Sequence, residues 1–225
     1  MEKPQAVLFD AYGTLFDVYS IGALAEKLFP GRGSALGMLW RDKQIEYTQL
    51  VTTSNGGQHY QPFWDLTRAG LRYAAKKLAL DLTPQHEERL MDQYRHLAPF
   101  AESKDVLGAL RAQGVATGIL SNGDPGMLGS AVRSAGLDGL LDHLLSVDSV
   151  RKYKTHPEAY ALGPRALGVD AAHIIFVSCN SWDALGATWY GYRTLWVNRY
   201  QLPFEELGIQ PTRIGASLRD VLAFF

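Results

Sequence analysis

Several short apolar runs in this sequence end at polar residues whose side chains could do chemistry. AVLF at 6–9 leads to Asp10, VATGIL at 115–120 to Ser121 and Asn122, HLLSV at 143–147 to Asp148, and IIFVS at 174–178 to Ser178, Cys179, Asn180 and Asp183. The segment RKYK at 151–154 adds two lysines. Ligands of open parallel sheets bind beyond the carboxyl ends of the strands. These residues therefore predict a site with a carboxylate nucleophile, a lysine, amides and hydroxyls.

The same runs, together with TLWVN at 194–198, predict the strands of a parallel sheet. Their lack of clean alternation indicates strands that are buried on both faces. Helical signals lie between them, with Ser103 and Asp124 as expected N-caps and with His156 and Gly168 bracketing a further helix. Alternating strands and helices predict a doubly wound α/β sheet.

Residues 16–98 break this alternation. They contain helical patterns, such as SALGMLWRDKQIEYTQLV at 34–51, and no convincing strand. The gap between the first strand and its next partner is far longer than an ordinary crossover, so we expect a helical cap inserted over the carboxyl edge of the sheet. The predicted domains are an α/β core of residues 1–15 and 99–225 and a helical cap of residues 16–98.

Composition and absent motifs argue against several classes of function. The 22 Lys and Arg residues nearly balance the 23 Asp and Glu residues, so we expect no nucleic-acid partner, no membrane partner and instead a small-molecule ligand. The single cysteine excludes an internal disulfide, and no secretory signal is visible, so we expect a cytoplasmic protein. No HxxxH, GxGxxG or GxSxG motif points to a metal site, a dinucleotide or a serine nucleophile.

Six segments of the chain resemble the L-2-haloacid dehalogenases of the haloacid dehalogenase superfamily. FDAYGTLFD, LWRDKQIEYT, LAPF, ILSNG, LLSVDSVRKYK and FVSCNSWDALGA occur in that family's order and spacing, essentially from end to end. The resemblance implies a Rossmann-like core with an inserted helical cap. It also implies a homodimeric hydrolase, without cofactor or metal, that converts short (S)-2-haloalkanoic acids to (R)-2-hydroxy acids with inversion, and whose range extends to haloacetates.

Two positions distinguish the chain from the phosphatases of the same superfamily. Those enzymes carry a second aspartate two residues after the nucleophile to protonate a leaving alcohol, whereas this chain has Tyr12. They also hold magnesium with an aspartate where this chain has Cys179, and a thiol is a poor ligand for that hard ion. Halide leaves as a stable anion, so an aromatic ring that dries the pocket is more useful than an acid. A magnesium-dependent phosphatase and a non-catalytic binder of small carboxylates remain the alternatives.

By this resemblance the reaction has two steps. Asp10 attacks C2 of the substrate from the side opposite the halogen and forms an ester, and water then attacks the acyl carbon of Asp10. Lys154 matches the family's lysine because Tyr160 follows six residues later, and it should hold Asp10 ionised. Lys152 is a rival candidate, and Thr14 is an expected hydrogen-bond partner of Asp10.

The resemblance also implies which residues contact the substrate, the halide and the water. At the substrate and the halide we expect Arg41 from the cap and Asn122 as donors, with Trp182 and Tyr12 as aromatic walls. We expect Ser121 at the substrate carboxylate and Tyr160 among the substrate-binding residues. In the second step Asp183 should orient or activate the water, with Ser178 and Asn180 fixing its position.

Each of these residues also has a purely structural interpretation. Asp10 could satisfy amides at a strand end, and Lys154 with Asp183 could form an ion pair at the sheet edge. Ser121, Ser178 and Asn180 could satisfy backbone groups of their loops. Arg41 could lie solvated on a helix. Tyr12, Tyr160 and Trp182 could be ordinary packing residues.

Overall fold

The computed structural model describes residues 3–225, which form a six-stranded parallel sheet flanked by helices. The strands are β1 Ala6–Phe9, β2 Ala116–Ser121, β3 His143–Ser146, β4 Ile174–Ser178, β5 Arg193–Val197 and β6 Arg213–Gly215, in the order β3-β2-β1-β4-β5-β6. Phe9 pairs with Ile119 on one side and Val177 on the other, so Asp10 follows at the middle of the carboxyl edge. The predicted parallel sheet is confirmed.

Burial differs between the middle and the edges of this sheet. Every residue of β1 and β4 is buried, as their apolar runs predict. β3 lies at one edge, where Leu144 is 45% exposed, so the prediction of burial on both faces is wrong for this strand. β6 lies at the other edge and is not predicted, because its three residues form no apolar run and Ile214 is 52% exposed.

Four helices separate β1 from the rest of the core. They are α1 Ile21–Leu28, α2 Gly33–Thr53, α3 Phe63–Lys77 and α4 Pro84–Gln93. The chain leaves the core and returns to it at one place, where Phe16 forms an antiparallel bridge with Pro99 and the Asp17 N–H donates to the Ala98 carbonyl at 2.9 Å. The fold therefore consists of an α/β core with an inserted helical cap, as the sequence predicts.

Helices α2 and α3 pack closely within the cap. A Cβ atom at Gly70 would meet the backbone nitrogen of Gln44 at 3.3 Å, so glycine permits this approach. The buried Trp40 indole donates to the Thr67 carbonyl at 2.7 Å and links the two helices. No helix in the described part of the chain is long and apolar enough to cross a membrane.

The core helices are α5 Ser103–Ala112, α6 Pro125–Ser134, α7 Pro157–Tyr160, α8 Leu162–Leu167 and α9 Ser181–Tyr190. The predicted cap Asp124 is confirmed, since its side chain accepts a backbone N–H from the first turn of α6. The predicted cap Ser103 is wrong, because Ser103 is already helical and its hydroxyl donates to the Leu15 carbonyl at 3.2 Å. The single helix expected between His156 and Gly168 is two short helices, α7 and α8.

Candidate active site

The predicted site residues of three strands meet at the carboxyl edge of the sheet. β1 lies between β2 and β4, so Asp10, Ser121 and Ser178 end or follow adjacent strands. Gly13 adopts a φ of 92°, a conformation that favours glycine, and the chain turns there directly after Asp10. This turn brings the Thr14 hydroxyl back to the Asp10 carboxylate.

Asp10 is 5% exposed and accepts hydrogen bonds from three side chains. The Thr14 hydroxyl donates to Oδ2 at 3.0 Å, the Asn180 amide donates to the same oxygen at 2.9 Å, and the Lys154 ammonium donates to Oδ1 at 3.1 Å. The Cys179 backbone N–H donates to the Thr14 oxygen, so the Thr14 proton is directed to Asp10. These three donors stabilise negative charge on the carboxylate oxygens.

Lys154 lies between two carboxylates rather than one. Its ammonium is 3.1 Å from Asp10 and 3.0 Å from Asp183, and the whole side chain is buried. The rival candidate Lys152 is directed away from the site, where its ammonium contacts the carbonyl of Gly56 in the cap. The structure therefore places Lys154, and not Lys152, beside the candidate nucleophile.

Asp183 is fully buried in the first turn of α9. Burial raises the pKa of its carboxyl to about 6, while the Lys154 charge opposes this rise and the Asp10 charge adds to it. The Tyr160 hydroxyl donates to Asp183 Oδ1 at 2.8 Å and to its backbone carbonyl at 3.1 Å. A carboxylate of this kind can accept a proton near neutral pH, as a general base must.

Arg41 extends from α2 of the cap to the core and is 8% exposed. Its guanidinium donates to Gln44 Oε1 at 2.6 Å, to the Tyr12 carbonyl at 3.2 Å and to Asn180 Oδ1 at 3.3 Å. All three acceptors are neutral, and Arg41 forms no ion pair with a carboxylate among residues 3–225. A buried cation without an anionic partner is unfavourable by itself, and this arrangement suits the binding of an anion.

A narrow pocket, with a cavity volume of about 10 Å³, lies between the cap and the carboxyl edge of the sheet. It is lined by Asp10, Tyr12, Arg41, Ile45, Thr48, Phe63, Ser121, Asn122 and Trp182. Tyr12 packs against Phe63 at a ring distance of 5.8 Å, and burial raises the pKa of Tyr12 well above its ordinary value. The pocket therefore combines one carboxylate, one guanidinium whose described acceptors are neutral, and neutral aromatic walls.

Three predicted site residues make contacts other than those expected. Tyr160 was expected at the substrate, but it is fully buried outside the pocket lining and binds Asp183. Asn180 was expected to fix the water, but its side chain donates to Asp10 and accepts from Arg41. The Ser178 hydroxyl accepts the Asn180 N–H at 3.1 Å, so it holds the loop that carries Asn180.

The remaining predicted residues Ser121, Asn122 and Trp182 line the pocket, and the first two each make one further contact. Asn122 Oδ1 accepts the Lys154 backbone N–H at 3.0 Å, and the Ser121 hydroxyl oxygen accepts the Gly123 N–H at 3.0 Å. Trp182 lies at the start of α9, one residue before Asp183. The Ser121 proton and the Asn122 amide group are thus left as donors for a ligand.

Sequence reasoning missed the polar residues that surround Arg41 inside the cap. Gln44 is fully buried and binds Arg41, and Thr67 of α3 binds Gln44 in turn. The spacing from Arg41 to Gln44 is i to i+3, which places both side chains on one helical face and could have indicated the first contact. No local signal indicates Thr67, because it belongs to a different helix.

Comparison with known proteins agrees with this geometry. The family model described as haloacid dehalogenase-like hydrolase matches residues 4–191. A (S)-2-haloacid dehalogenase of Pseudomonas sp. (strain YL) is 44% identical over 100% of this chain and 96% of its own length. The crystal structure of an L-2-haloacid dehalogenase with 55% identity has a TM-score of 0.97 and covers 99% of both chains.

A further solved structure bears on the chemistry. The L-2-haloacid dehalogenase of Xanthobacter autotrophicus with chloropropionic acid covalently bound is 33% identical, with a TM-score of 0.89, over 97% of this chain and 96% of its own. The matches extend over both the core and the cap. The chain therefore belongs to the haloacid dehalogenase-like hydrolases and, among them, to the L-2-haloacid dehalogenase family.

Proposed function

We propose that this protein hydrolyses the carbon–halogen bond of short (S)-2-haloalkanoic acids and releases (R)-2-hydroxy acids, with haloacetates as the smallest substrates. One observation carries the proposal: a carboxylate with three donors, Asp10, shares a small pocket with a buried guanidinium, Arg41, that forms no ion pair with any carboxylate of the described residues 3–225. Asp10 is the proposed nucleophile, and Arg41 suits the binding of an anionic substrate and of the departing halide. The pocket's small volume favours short substrates.

In the first step an oxygen of Asp10 attacks C2, and the halogen leaves with the bonding electrons. Attack from the side opposite the halogen inverts C2, and the product is an ester of Asp10. Negative charge develops on the halogen, where Arg41 and Asn122 are the proposed donors and Trp182 the aromatic wall. Ser121 is the proposed donor to the substrate carboxylate, because its oxygen already accepts from Gly123 and its proton is free to donate.

In the second step water attacks the acyl carbon of the ester, and Asp183 accepts the proton from that water. Negative charge then develops on the Asp10 oxygen that did not form the ester bond. If this oxygen is Oδ2, Thr14 and Asn180 are the proposed stabilising donors, and if it is Oδ1, the donor is Lys154. Cleavage of the acyl–oxygen bond returns the proton from Asp183 to the departing oxygen and frees the 2-hydroxy acid. Asp10 is restored as a carboxylate when its carboxyl proton is released to solvent.

The contacts around Asp10 disfavour a magnesium-dependent phosphatase. Magnesium binds oxygen ligands, yet both Asp10 oxygens and the Tyr12 carbonyl already accept hydrogen bonds from cationic or amide donors such as Lys154 and Asn180. Burial raises the pKa of the Cys179 thiol to about 11, so it stays protonated near neutral pH, whereas metal ligands are thiolates.

The first test is halide release from each enantiomer of 2-chloropropionate, with chelator present and then with magnesium in excess. We expect release from the (S) enantiomer alone and no effect of magnesium. Phosphate ester cleavage that appears with magnesium, without halide release, would replace this proposal by the phosphatase. Binding of 2-chloropropionate without any turnover would instead identify a carboxylate binder.

The ester route is tested with heavy-oxygen water and enzyme in excess over substrate. The first product should carry unlabelled oxygen from Asp10, while the label enters the carboxylate. Asp10→Asn should abolish halide release, and Asp105→Asn, at an exposed carboxylate paired with Arg219, is the matched control. Full labelling of the first product would mean that water attacks C2 directly.

We further propose that residues 16–98 act as the cap domain on a core of residues 1–15 and 99–225. The bridge between Phe16 and Pro99 supports these boundaries, because the chain enters and leaves the insertion there.

The homodimer and the cytoplasmic location stay predictions. Light scattering that gives twice the mass of one chain would support the dimer.

A further inference from the structure

A chain of buried hydrogen bonds inside the cap ends at Arg41. The Arg41 guanidinium donates to Gln44 Oε1 at 2.6 Å, and Gln44 Nε2 donates to the Thr67 hydroxyl at 2.6 Å. The Thr67 hydroxyl donates to the Phe63 carbonyl at 2.7 Å. Gln44 and Thr67 are fully buried, so these contacts do not compete with water.

The proton count fixes the direction of every bond in this chain. Guanidinium only donates and a backbone carbonyl only accepts. The single Thr67 proton is committed to Phe63, so the Thr67 oxygen must accept from the amide nitrogen of Gln44. The Gln44 carbonyl oxygen is then turned towards Arg41. Thr67 therefore sets the orientation of Gln44, and Gln44 sets the position of Arg41.

The neutrality of Gln44 is as important as its position. A glutamate would hold Arg41 as firmly but would neutralise its positive charge, which the proposed mechanism requires for the halide. Glutamine supplies an acceptor oxygen without a charge. The other two acceptors of Arg41, the Tyr12 carbonyl and Asn180 Oδ1, are also neutral.

We propose that Gln44, oriented by Thr67, is a positioning residue that directs the Arg41 guanidinium to the leaving halogen without reducing its charge. This inference rests on the proposed dehalogenation. Charge develops on the halogen in the transition state, so misplacement of Arg41 slows bond cleavage more than it weakens substrate binding. Chloride is smaller than bromide and requires closer placement of its donors, so cleavage of the chloride should suffer more.

The test measures single-turnover halide release from (S)-2-chloropropionate and (S)-2-bromopropionate. Gln44→Glu keeps Arg41 in place but neutralises its charge, and Thr67→Val leaves the Gln44 amide without its acceptor. Each variant should slow chloride release about 10- to 100-fold and raise the bromide-to-chloride rate ratio. Thr67→Ser keeps the hydroxyl and should restore the ratio of the unmodified protein. Trp40→Phe loosens the same pair of helices by removing the indole bond to the Thr67 backbone carbonyl, but it keeps the side-chain hydrogen bonds of Arg41, Gln44 and Thr67. It should therefore leave the ratio unchanged.

Two results would overturn the inference. One is a Thr67→Val protein that releases both halides at the unmodified ratio. The other is a Trp40→Phe protein that raises the ratio as much as Thr67→Val, which would mean that cap stability alone is responsible. If Gln44→Glu does not fold, the rate ratios of Thr67→Val and Thr67→Ser decide whether the inference holds. Absence of halide release from the unmodified protein would refute the proposed function instead, so the two failures are distinguishable.

Discussion

Replacing Asp183 by asparagine should separate the two proposed steps. Asparagine has nearly the same shape but accepts no proton at neutral pH. Lys154 lies 3.1 Å from Asp10 and 3.0 Å from Asp183, so in the variant it keeps Asp10 as a carboxylate partner and the proposed nucleophile keeps its cation. We expect ester formation to continue while ester hydrolysis slows about 10²- to 10⁴-fold, the usual effect of losing a general base.

Rapid-quench measurement of halide gives the decisive signal. Each chain carries one Asp10, so Asp183→Asn should release one equivalent of halide per chain and then almost stop. Mass spectrometry should find the acyl group on the peptide that contains Asp10. Asp105→Asn, which loses an exposed ion pair with Arg219, should show full turnover under the same conditions.

Two outcomes would refute this reasoning. Turnover of Asp183→Asn within a few fold of the unmodified protein would mean that Asp183 is not the base. A folded variant without the halide burst would mean that Asp183 is needed for the first step, for which the proposed mechanism gives no reason. Circular dichroism and thermal unfolding establish that the variant is folded.

Three further predictions concern charge and stability at the same site. In the unmodified protein, ester hydrolysis measured in a single turnover should slow as pH falls, with a midpoint below about 6, because esterification removes the Asp10 charge that helps to raise the pKa of Asp183; a rate independent of pH from 8 to 4 would contradict this. Lys154→Met should lower the free energy of unfolding in urea by about 3–5 kcal/mol, since it leaves two buried carboxylates without their cation, and an equal loss in Lys152→Met would argue against that cause. Asp124→Ala should lower it by about 1–2 kcal/mol, because this carboxylate accepts N–H groups from the first turns of both α6 and α3, and an unchanged urea midpoint would contradict the prediction.

The raised pKa of Asp183 also determines how this residue changes the stability of the fold with pH. The folded-state pKa of about 6 lies above the value of about 3.9 expected in the unfolded chain, so this group stabilises the fold most at pH values below its unfolded pKa. That contribution is lost as pH rises through the folded-state pKa. The pH range in which Asp183 can act as a base is therefore the range in which its carboxyl no longer favours the folded state.

The central strands were predictable because burial on both faces leaves a simple mark in the sequence. β1 and β4 are continuous apolar runs and are completely buried. The short edge strand β6 has no such mark, since its outer side faces solvent and hydrogen bonds to β5 define it. The cap was predictable from an absence of strands, but its helix contacts were not, because the close approach at Gly70 depends on which helices meet.

The residues that belong to the site were easier to predict from the sequence than the contacts between them. Strand order brings Asp10, Ser121 and Ser178 together, so the rule about carboxyl ends of strands finds them from sequence. The partner of each side chain depends on rotamers and distances that no spacing fixes. The contacts of Asn180 with Asp10 and of Tyr160 with Asp183 are two examples.

The charges of the site explain how one lysine can serve both proposed steps in order. Before reaction Lys154 is shared by Asp10 and Asp183, while the three acceptors that Arg41 has within residues 3–225 are neutral, so its charge is available to an incoming anion. When Asp10 becomes an ester it loses its charge, and Asp183 remains as a carboxylate partner of Lys154. The loss of the Asp10 charge also removes one cause of the raised pKa of Asp183. Asp183 thus becomes a more fully ionised base when water must be deprotonated, and formation of the ester itself prepares its hydrolysis.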